Sequence, residues 1–413
     1  MTGFARVSGE LRCDGVSLEE AARRFGTPLY VYSAASVVES YQAYERAFAP
    51  IPHRICYAVK ANGSAALLRI LSGLGAGADI VSGFELLAAL RAGFPPDRIV
   101  FAGVGKSEAE LELGLRMGIG DFNAESETEL MHLAAIAARM GKTARVSLRV
   151  NPNIDPKSHP YISTGLRENK FGLDIALAPE ILRRARPHAS LRIVGLQCHI
   201  GSQITDLEPL GKAARDVAEL SRALLAEGFP LETIDLGGGL GVDYQEGKPP
   251  DPGALAARIL PALAGLPLLL LLEPGRSLVA RAGALLTRVL YRKENGGKRF
   301  VIVDAAKNDL LRPALYQAFH RIEPVAPPQP GEEAVDVVGP VCETGDFLAR
   351  DRAMPTVEEG DLLAILDTGA YGFCMSSNYN MRARAAEVLV DGGTARLVRR
   401  RETFEDLVRT EAE

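Results

Sequence analysis

The stretch Arg54-Ile55-Cys56-Tyr57-Ala58-Val59-Lys60-Ala61-Asn62 sets the pattern for most of the chain: a short β-rich run that ends on a polar residue. Working outward from it, further β-rich runs fall at 78–81, 99–102, 120–123, 144–150, 192–199, 233–236 and 268–272, with 54–59 as the first. Between them lie stretches with apolar residues at helical spacing, such as 83–91, 126–140 and 207–227. Ser82, Ser126 and Asp206 stand at or just before the starts of these three, as helix N-caps do. Eight β units joined by helices match a (β/α)8 barrel; a doubly wound sheet would alternate in the same way. The fold class is therefore α/β.

After Pro274 the texture changes. Runs at 284–291, 299–303, 334–338, 362–367 and 386–390 are short, β-rich and separated by Gly, Asp and Pro turns, which predicts a mostly β second domain. The segment around 29–32 is a strand candidate that joins it. The expected division is an N-terminal segment 1–33, a barrel 34–278 and a β domain 279–413. Pro324-Val325-Ala326-Pro327-Pro328-Gln329-Pro330 reads as a loop, and Arg396 with Arg399-Arg400-Arg401 as a solvated strand end.

Composition narrows the function classes. The chain has 413 residues, 47% hydrophobic and 24% charged, enough for a substantial core and more than one compact unit. A net charge of −5 and the lack of a dense basic run argue against nucleic acid or an anionic membrane as partner. The longest apolar run, 263–272, is interrupted by Gly265 and Pro267 and is too short to cross a bilayer. The first residues, Met1-Thr2-Gly3-Phe4-Ala5-Arg6, lack the apolar core of a secretion signal. Five cysteines, an odd number without a C-x-x-C pair, suggest reduced thiols and a cytoplasmic setting. The six histidines show no metal-ligand spacing, so no metal site is expected.

The chemistry gathers at the ends of the β runs. Lys60 follows the first, His199 ends the sixth, Gly237-Gly238-Gly239 follows the seventh and Glu273-Pro274-Gly275-Arg276 follows the eighth. In a barrel all of these converge on the C-terminal rim, where barrel enzymes keep their active sites. Each has a bland reading as well. A lysine past an apolar strand commonly snorkels, a histidine commonly satisfies a core, and a triple glycine commonly makes a turn. Val242 spoils the G-x-G-x-x-G spacing, so the dinucleotide reading fails. Together, however, an aldehyde-holding lysine, a phosphate-cradling glycine loop, a flat imidazole and a carboxylate fit pyridoxal 5'-phosphate (PLP).

Those stretches, with His199-Ile200-Gly201-Ser202 and Cys342-Glu343-Thr344-Gly345-Asp346, appear in an order that resembles the alanine-racemase-like, or fold type III, PLP decarboxylases. Within that group the chain resembles the diaminopimelate decarboxylases, from about Pro28 to Val390. The resemblance implies a PLP-binding barrel plus a β domain, working as a homodimer with shared active sites. It implies that Lys60 forms the Schiff base with the PLP aldehyde, His199 stacks on the ring and Glu273 meets the pyridine nitrogen. Ser202, Gly238, Gly239, Gly275, Arg276 and Tyr371 would surround the cofactor, with Asp79 and Arg149 in support. Cys342 would come from the second subunit as proton donor.

The implied reaction is decarboxylation of meso-2,6-diaminopimelate at its D-centre to L-lysine and carbon dioxide. By the same resemblance, Arg276, Arg312, Tyr316 and Tyr371 would hold the distal end through its carboxylate, and Glu343 its ammonium. Asn308-Asp309-Leu310-Leu311-Arg312-Pro313 and His159-Pro160-Tyr161-Ile162-Ser163-Thr164-Gly165 are close to the family's form. The family commonly has Gly-Met where this chain has Ala306-Lys307, and Pro where it has Ala383. Lys307 lies near the substrate-recognition run and bears on specificity. The alternatives are a related decarboxylase acting on ornithine, arginine or carboxynorspermidine, and a non-catalytic PLP-binding protein.

Overall fold

The computed structural model describes residues 3–155, 169–245 and 250–412. The run His159-Pro160-Tyr161-Ile162-Ser163-Thr164-Gly165 lies outside the described residues. The chain divides into two compact units, one of Ser40–Asp243 with Lys248–Ser277, the other of Met1–Glu39, Tyr244–Gly247 and Leu278–Glu413.

The first unit is a closed barrel. Its strands are His53–Ala58, Gly77–Ile80, Ile99–Phe101, Asp121–Ala124, Ala144–Asn151, Leu191–Gln197, Thr233–Asp235 and Leu269–Leu272. Each pairs in parallel with the next. The ring closes where Leu270, Leu271 and Leu272 pair with His53, Arg54 and Ile55. Closure excludes the doubly wound alternative, in which the first and last strands of the series would not meet. The strands are short and mostly buried because helices cover their outer faces and side chains fill the inside. Cys56, Val100 and Leu271 form one buried cluster, and burying a leucine of this kind stabilises the fold by about 1.5–3 kcal/mol.

The helices start where their caps direct. Ser82 Oγ accepts from the Glu85 amide at 3.2 Å and Ser126 Oγ from the Glu129 amide at 3.1 Å. Asp206 Oδ1 accepts from the Glu208 amide at 3.0 Å, where Glu208–Ala226 begins. Each cap satisfies a donor that the first helical turn leaves unpaired.

The second unit is mostly β. Its main sheet runs in the order Phe347–Pro355, Glu332–Val338, Lys298–Val303, Gly283–Asn295, Leu29–Ser33, Ala386–Asp391, Thr394–Arg399. The N-terminal strand Leu29–Ser33 is thus built into this unit, antiparallel to Gly283–Asn295 and parallel to Ala386–Asp391. All five of its residues are buried, which is why an apolar Leu-Tyr-Val-Tyr run stands there. The proline-rich piece is loop except at its first residue, since Ile322–Pro324 is a strand whose Pro324 pairs with Leu363.

The basic cluster is a solvated strand end, with Arg396, Arg399 and Arg400 exposed, but it also carries contacts. Arg399 closes the edge strand but ion-pairs with the fully buried Glu387, and Arg401 donates to the Pro28 carbonyl at 2.7 Å. A buried carboxylate needs a partner, and the arginine supplies it from the rim. No helix among the described residues is long and apolar enough to cross a membrane.

Candidate active site

The C-terminal mouth of the barrel collects the polar residues that its strands carry at their ends. Lys60 lies in the 3-10 turn Val59–Ala61 directly after the first strand. Its Nζ donates to Oδ2 of Asp79 at 2.5 Å; Asp79 is fully buried on the second strand. The turn is held from behind by the Tyr57 hydroxyl, which donates to the Asn62 carbonyl at 2.9 Å. Lys60 is half-buried, so its ammonium faces a carboxylate on one side and the open mouth on the other.

Glu273 follows the eighth strand and is buried. Its two carboxyl oxygens accept from Asn123 Nδ2 at 3.3 Å and Gln197 Nε2 at 3.1 Å. Burial pushes its carboxyl well above the usual range, and the neighbouring Asp235 and Asp79 push it further. Asp235, buried at the end of the seventh strand, is itself pushed up to about 6, chiefly by burial. Three buried carboxyls therefore crowd one mouth with Lys60 as the nearby cation that opposes their repulsion of Glu273. Oδ1 of Asp79 accepts no hydrogen bond among the described residues. Such a group accommodates a planar ligand carrying a positive ring nitrogen.

The glycine turn comes next. The Gly238 amide donates to Nδ1 of His199 at 3.1 Å, which leaves the ring proton on Nε2. Burial, with Arg149 and Lys60 nearby, holds this imidazole well below its ordinary pKa, so it is a neutral, flat surface. Gly239 has φ +113°, and a Cβ there would come within 2.7 Å of the Gly201 carbonyl oxygen. Only glycine fits that backbone, and its bare amides make the kind of concavity that takes phosphate. A Cβ on Gly275 would fall 2.9 Å from Ala61 Cβ, so this turn too lies tight against the Lys60 segment. Arg276 donates to Ser202 Oγ at 3.0 Å. Arg149 is committed to Glu125 at 2.5 Å, and Glu125 also accepts from the Gly103 and Gly172 amides at 3.1 and 2.9 Å.

The remaining candidates lie in the second unit. Arg312, buried, donates to Nε2 of His320 at 2.7 Å and stacks 4.6 Å from the Tyr244 ring centroid. The other ring nitrogen of His320, Nδ1, donates to the Leu366 carbonyl at 2.8 Å, which fixes a neutral tautomer with its lone pair toward the arginine. Tyr316 ends the short helix Arg312–Tyr316 and is half-buried. Tyr371 adopts φ +56°, a backbone conformation that bulky side chains rarely take. Cys342 is exposed, and its amide donates to Asn380 Oδ1 at 3.0 Å. Glu343 is paired with Lys307 and accepts from the Tyr379 hydroxyl at 3.0 Å.

Sequence reading passed over Asn123, Gln197, Asp235 and His320. For the first three the signal was weak, each being a polar residue at or near the end of a mostly buried strand that carries another polar residue. For His320, one histidine among six, no local pattern marked it.

The donor set fits PLP, and comparison with known proteins names that cofactor. Residues 34–280 match the family model described as pyridoxal-dependent decarboxylase, pyridoxal binding domain. The diaminopimelate decarboxylase of Neisseria meningitidis serogroup A is 53% identical over 401 residues, 97% of this chain and 98% of that protein. A crystal structure of diaminopimelate decarboxylase from Helicobacter pylori complexed with L-lysine superposes with a TM-score of 0.92 at 46% identity, covering 95% of this chain and 98% of that one. The M. jannaschii diaminopimelate decarboxylase in co-complex with L-lysine gives 0.95 at 40% identity, covering 100% and 99%. A pyridoxal-binding barrel with these relatives along its full length leaves one assignment: the chain belongs to the pyridoxal-dependent decarboxylases and, among them, to the diaminopimelate decarboxylases.

Proposed function

We infer that the chain decarboxylates meso-2,6-diaminopimelate at its D-centre, giving L-lysine and carbon dioxide, with PLP as cofactor. The observation that carries the chemistry is Glu273, a buried carboxyl gripped by Asn123 and Gln197 at the same mouth as Lys60. PLP, when bound, supplies the electron sink for the pair released as carbon dioxide leaves.

The protein's own residues do the rest. Lys60 Nζ would hold the cofactor by its aldehyde and serve as a proton carrier at the reacting end, with buried Asp79 as its counter-ion. Glu273 would hold a proton at the ring nitrogen, the chemistry that favours electron flow into the ring. The neutral imidazole of His199 would offer its flat face to the ring. Ser202, Gly238, Gly239, Gly275, Arg276 and Tyr371 receive the phosphate, and Arg149 stiffens the rim through Glu125. Arg276, Arg312, Tyr316 and Tyr371 grip the far end of the substrate by its carboxylate, and Glu343 takes its ammonium. Anchoring the far end orients the departing carboxylate, so binding energy remote from the reaction lowers its barrier.

The division of labour follows the chain: 34–278 carries the cofactor, and 279–413 with 1–33 carries the distal-end contacts. The working form is a homodimer in which Cys342 of the partner subunit delivers the final proton. We assign the enzyme to the cytoplasm, where its five cysteines, none of them in a disulfide, stay reduced.

The test is an assay of purified protein with PLP on meso-diaminopimelate, ornithine, arginine and carboxynorspermidine, following carbon dioxide and lysine. The expected outcome is lysine from meso-diaminopimelate alone, reduced at least ~10³-fold by Lys60→Ala. Turnover of one of the other amines instead would keep the cofactor chemistry and remove the roles given to Arg312 and Glu343.

A further inference from the structure

Lys307 is a cation that the reading above leaves without a task. Its Nζ is ion-paired with Oε1 of Glu343, the other oxygen of which accepts from the Tyr379 hydroxyl at 3.0 Å. The same ammonium stands 5.3 Å from the centroid of the Tyr379 ring. The three side chains come from separate segments, yet their arrangement is fixed by the backbone beneath them. Buried Asp346 accepts from the Lys307 amide through one oxygen and from the Val341 amide through the other, both at 2.7 Å. One carboxylate thus ties the Lys307 segment to the one that carries Cys342 and Glu343. Where the two segments touch, a Cβ on Gly339 would come 2.6 Å from Ala306 Cα, so they are in direct contact.

The pair is also reachable. The side chain of Lys307 is 18% exposed and that of Glu343 37%. Its two hydrogen-bonding partners keep the Glu343 carboxyl below the usual carboxylate range, Lys307 first and Tyr379 second, so it stays charged. An ammonium has three donors and a carboxylate about four acceptor positions, so one mutual contact leaves both ions with capacity to spare.

We propose that Lys307 and Glu343 form one subsite for an amino-acid zwitterion, with Lys307 adding to the grip of Arg276, Arg312, Tyr316 and Tyr371 on the carboxylate and Glu343 taking the ammonium of the substrate centre that is not decarboxylated. The proposal rests on the diaminopimelate reading and deepens it. A protein ion pair meeting a substrate ion pair head to tail sets four charges in alternating sign, so recognition adds no net charge to the site. A ligand with only an ammonium or only a carboxylate engages one member of the pair and forgoes the contact with the other, which is how such a pair discriminates. Lys307 is then a specificity-determining residue.

The experiment uses holoenzyme, wild type and Lys307→Met, titrated calorimetrically with L-lysine and with 1,5-diaminopentane. L-Lysine keeps the intact amino-acid centre, whereas the diamine is the same skeleton without the carboxylate. The proposal expects Lys307→Met to weaken L-lysine by about 10-fold and the diamine by less than about twofold. In steady state it expects KM for meso-diaminopimelate to rise by a similar factor with kcat within about twofold, and Lys307→Arg to recover most of the loss. A purely structural lysine would shift both ligands alike, and a lysine that merely competes for Glu343 would on removal tighten both; either result overturns the subsite, as does no shift. Wild-type enzyme that neither binds L-lysine nor turns over meso-diaminopimelate overturns the substrate reading itself and the subsite with it.

Discussion

The two ends of the barrel are built from similar residues and treat charge in opposite ways. At the N-terminal end, Arg54, Asp97, Asp121, Arg145 and Glu232 line a cavity of ≈ 480 Å³. There the charges largely cancel: Arg145 pairs with Glu232 at 2.9 Å, Arg192 reaches the same carboxylate, and Arg145 also donates to the Gly120 carbonyl. At the C-terminal end Asp79, Asp235 and Glu273 are buried together, with Lys60 as the close cation. What marks the chemistry in this barrel is a crowd of buried carboxyls that the protein's own cations leave incompletely balanced, and that a bound cationic group would relieve.

The sharpest way to break that comparison is Glu273→Gln. Glutamine keeps the shape of the side chain and can still meet Gln197 and Asn123, but it cannot hold a charge opposite a ring nitrogen. We expect kcat to fall by roughly 10²-fold, about 2.7 kcal/mol in the barrier, with the protein still folded and binding cofactor. Turnover and cofactor absorbance on one preparation check it. A loss under threefold would mean that the crowding of carboxyls is not what drives the reaction.

How much of this was legible beforehand depends on what each residue had to announce it. The eight barrel strands were readable because strands buried on both faces must be nearly continuous apolar runs, as Leu269–Leu272 is. Phe347–Pro355 and Thr394–Arg399 were passed over because both end the main sheet as edge strands, and charges such as Arg350-Asp351-Arg352 interrupt the apolar signal. Lys60 and Glu273 stood out by position, directly after apolar strands. Asp235 did not, since a single acid in a short strand is unremarkable until closure sets it beside Glu273. The Lys307–Glu343 pair joins residues 36 apart in sequence, and nothing short of folding shows that they meet.

Asp121 sharpens the comparison from the other end. It is the one buried carboxyl of the N-terminal cavity, and burial pushes it up to about 7, with the Ser147 hydroxyl partly opposing the shift. A folded pKa raised above the unfolded value means that its contribution is fully present below the unfolded pKa, near 4, and lost as pH rises through about 7. Asp121→Asn removes the titration and keeps the shape. Its stability advantage over wild type is therefore expected to be about 2 kcal/mol larger at pH 8 than at pH 5, with kcat unchanged. Chemical denaturation at the two pH values measures this. A gain at pH 5 equal to that at pH 8 would show that the carboxyl is not titrating in the fold.

The smallest effect belongs to Arg145→Ala. Its side chain is 33% exposed and that of Glu232 35%, so solvent screens the ion pair and its loss is worth about 0.2–1 kcal/mol. Part of that loss is softened because Glu232 keeps Arg192. The substitution also leaves the Gly120 carbonyl without its guanidinium donor, which puts the expected cost toward the upper end of that interval. What the comparison requires is that this cost appear in thermal or denaturant stability and not in kcat or KM, because a balanced ion pair at the N-terminal end has no part to play at the other. A fall in kcat with intact stability would tie the two ends of the barrel together and remove the distinction between balanced and unbalanced charge on which the assignment of the active mouth depends.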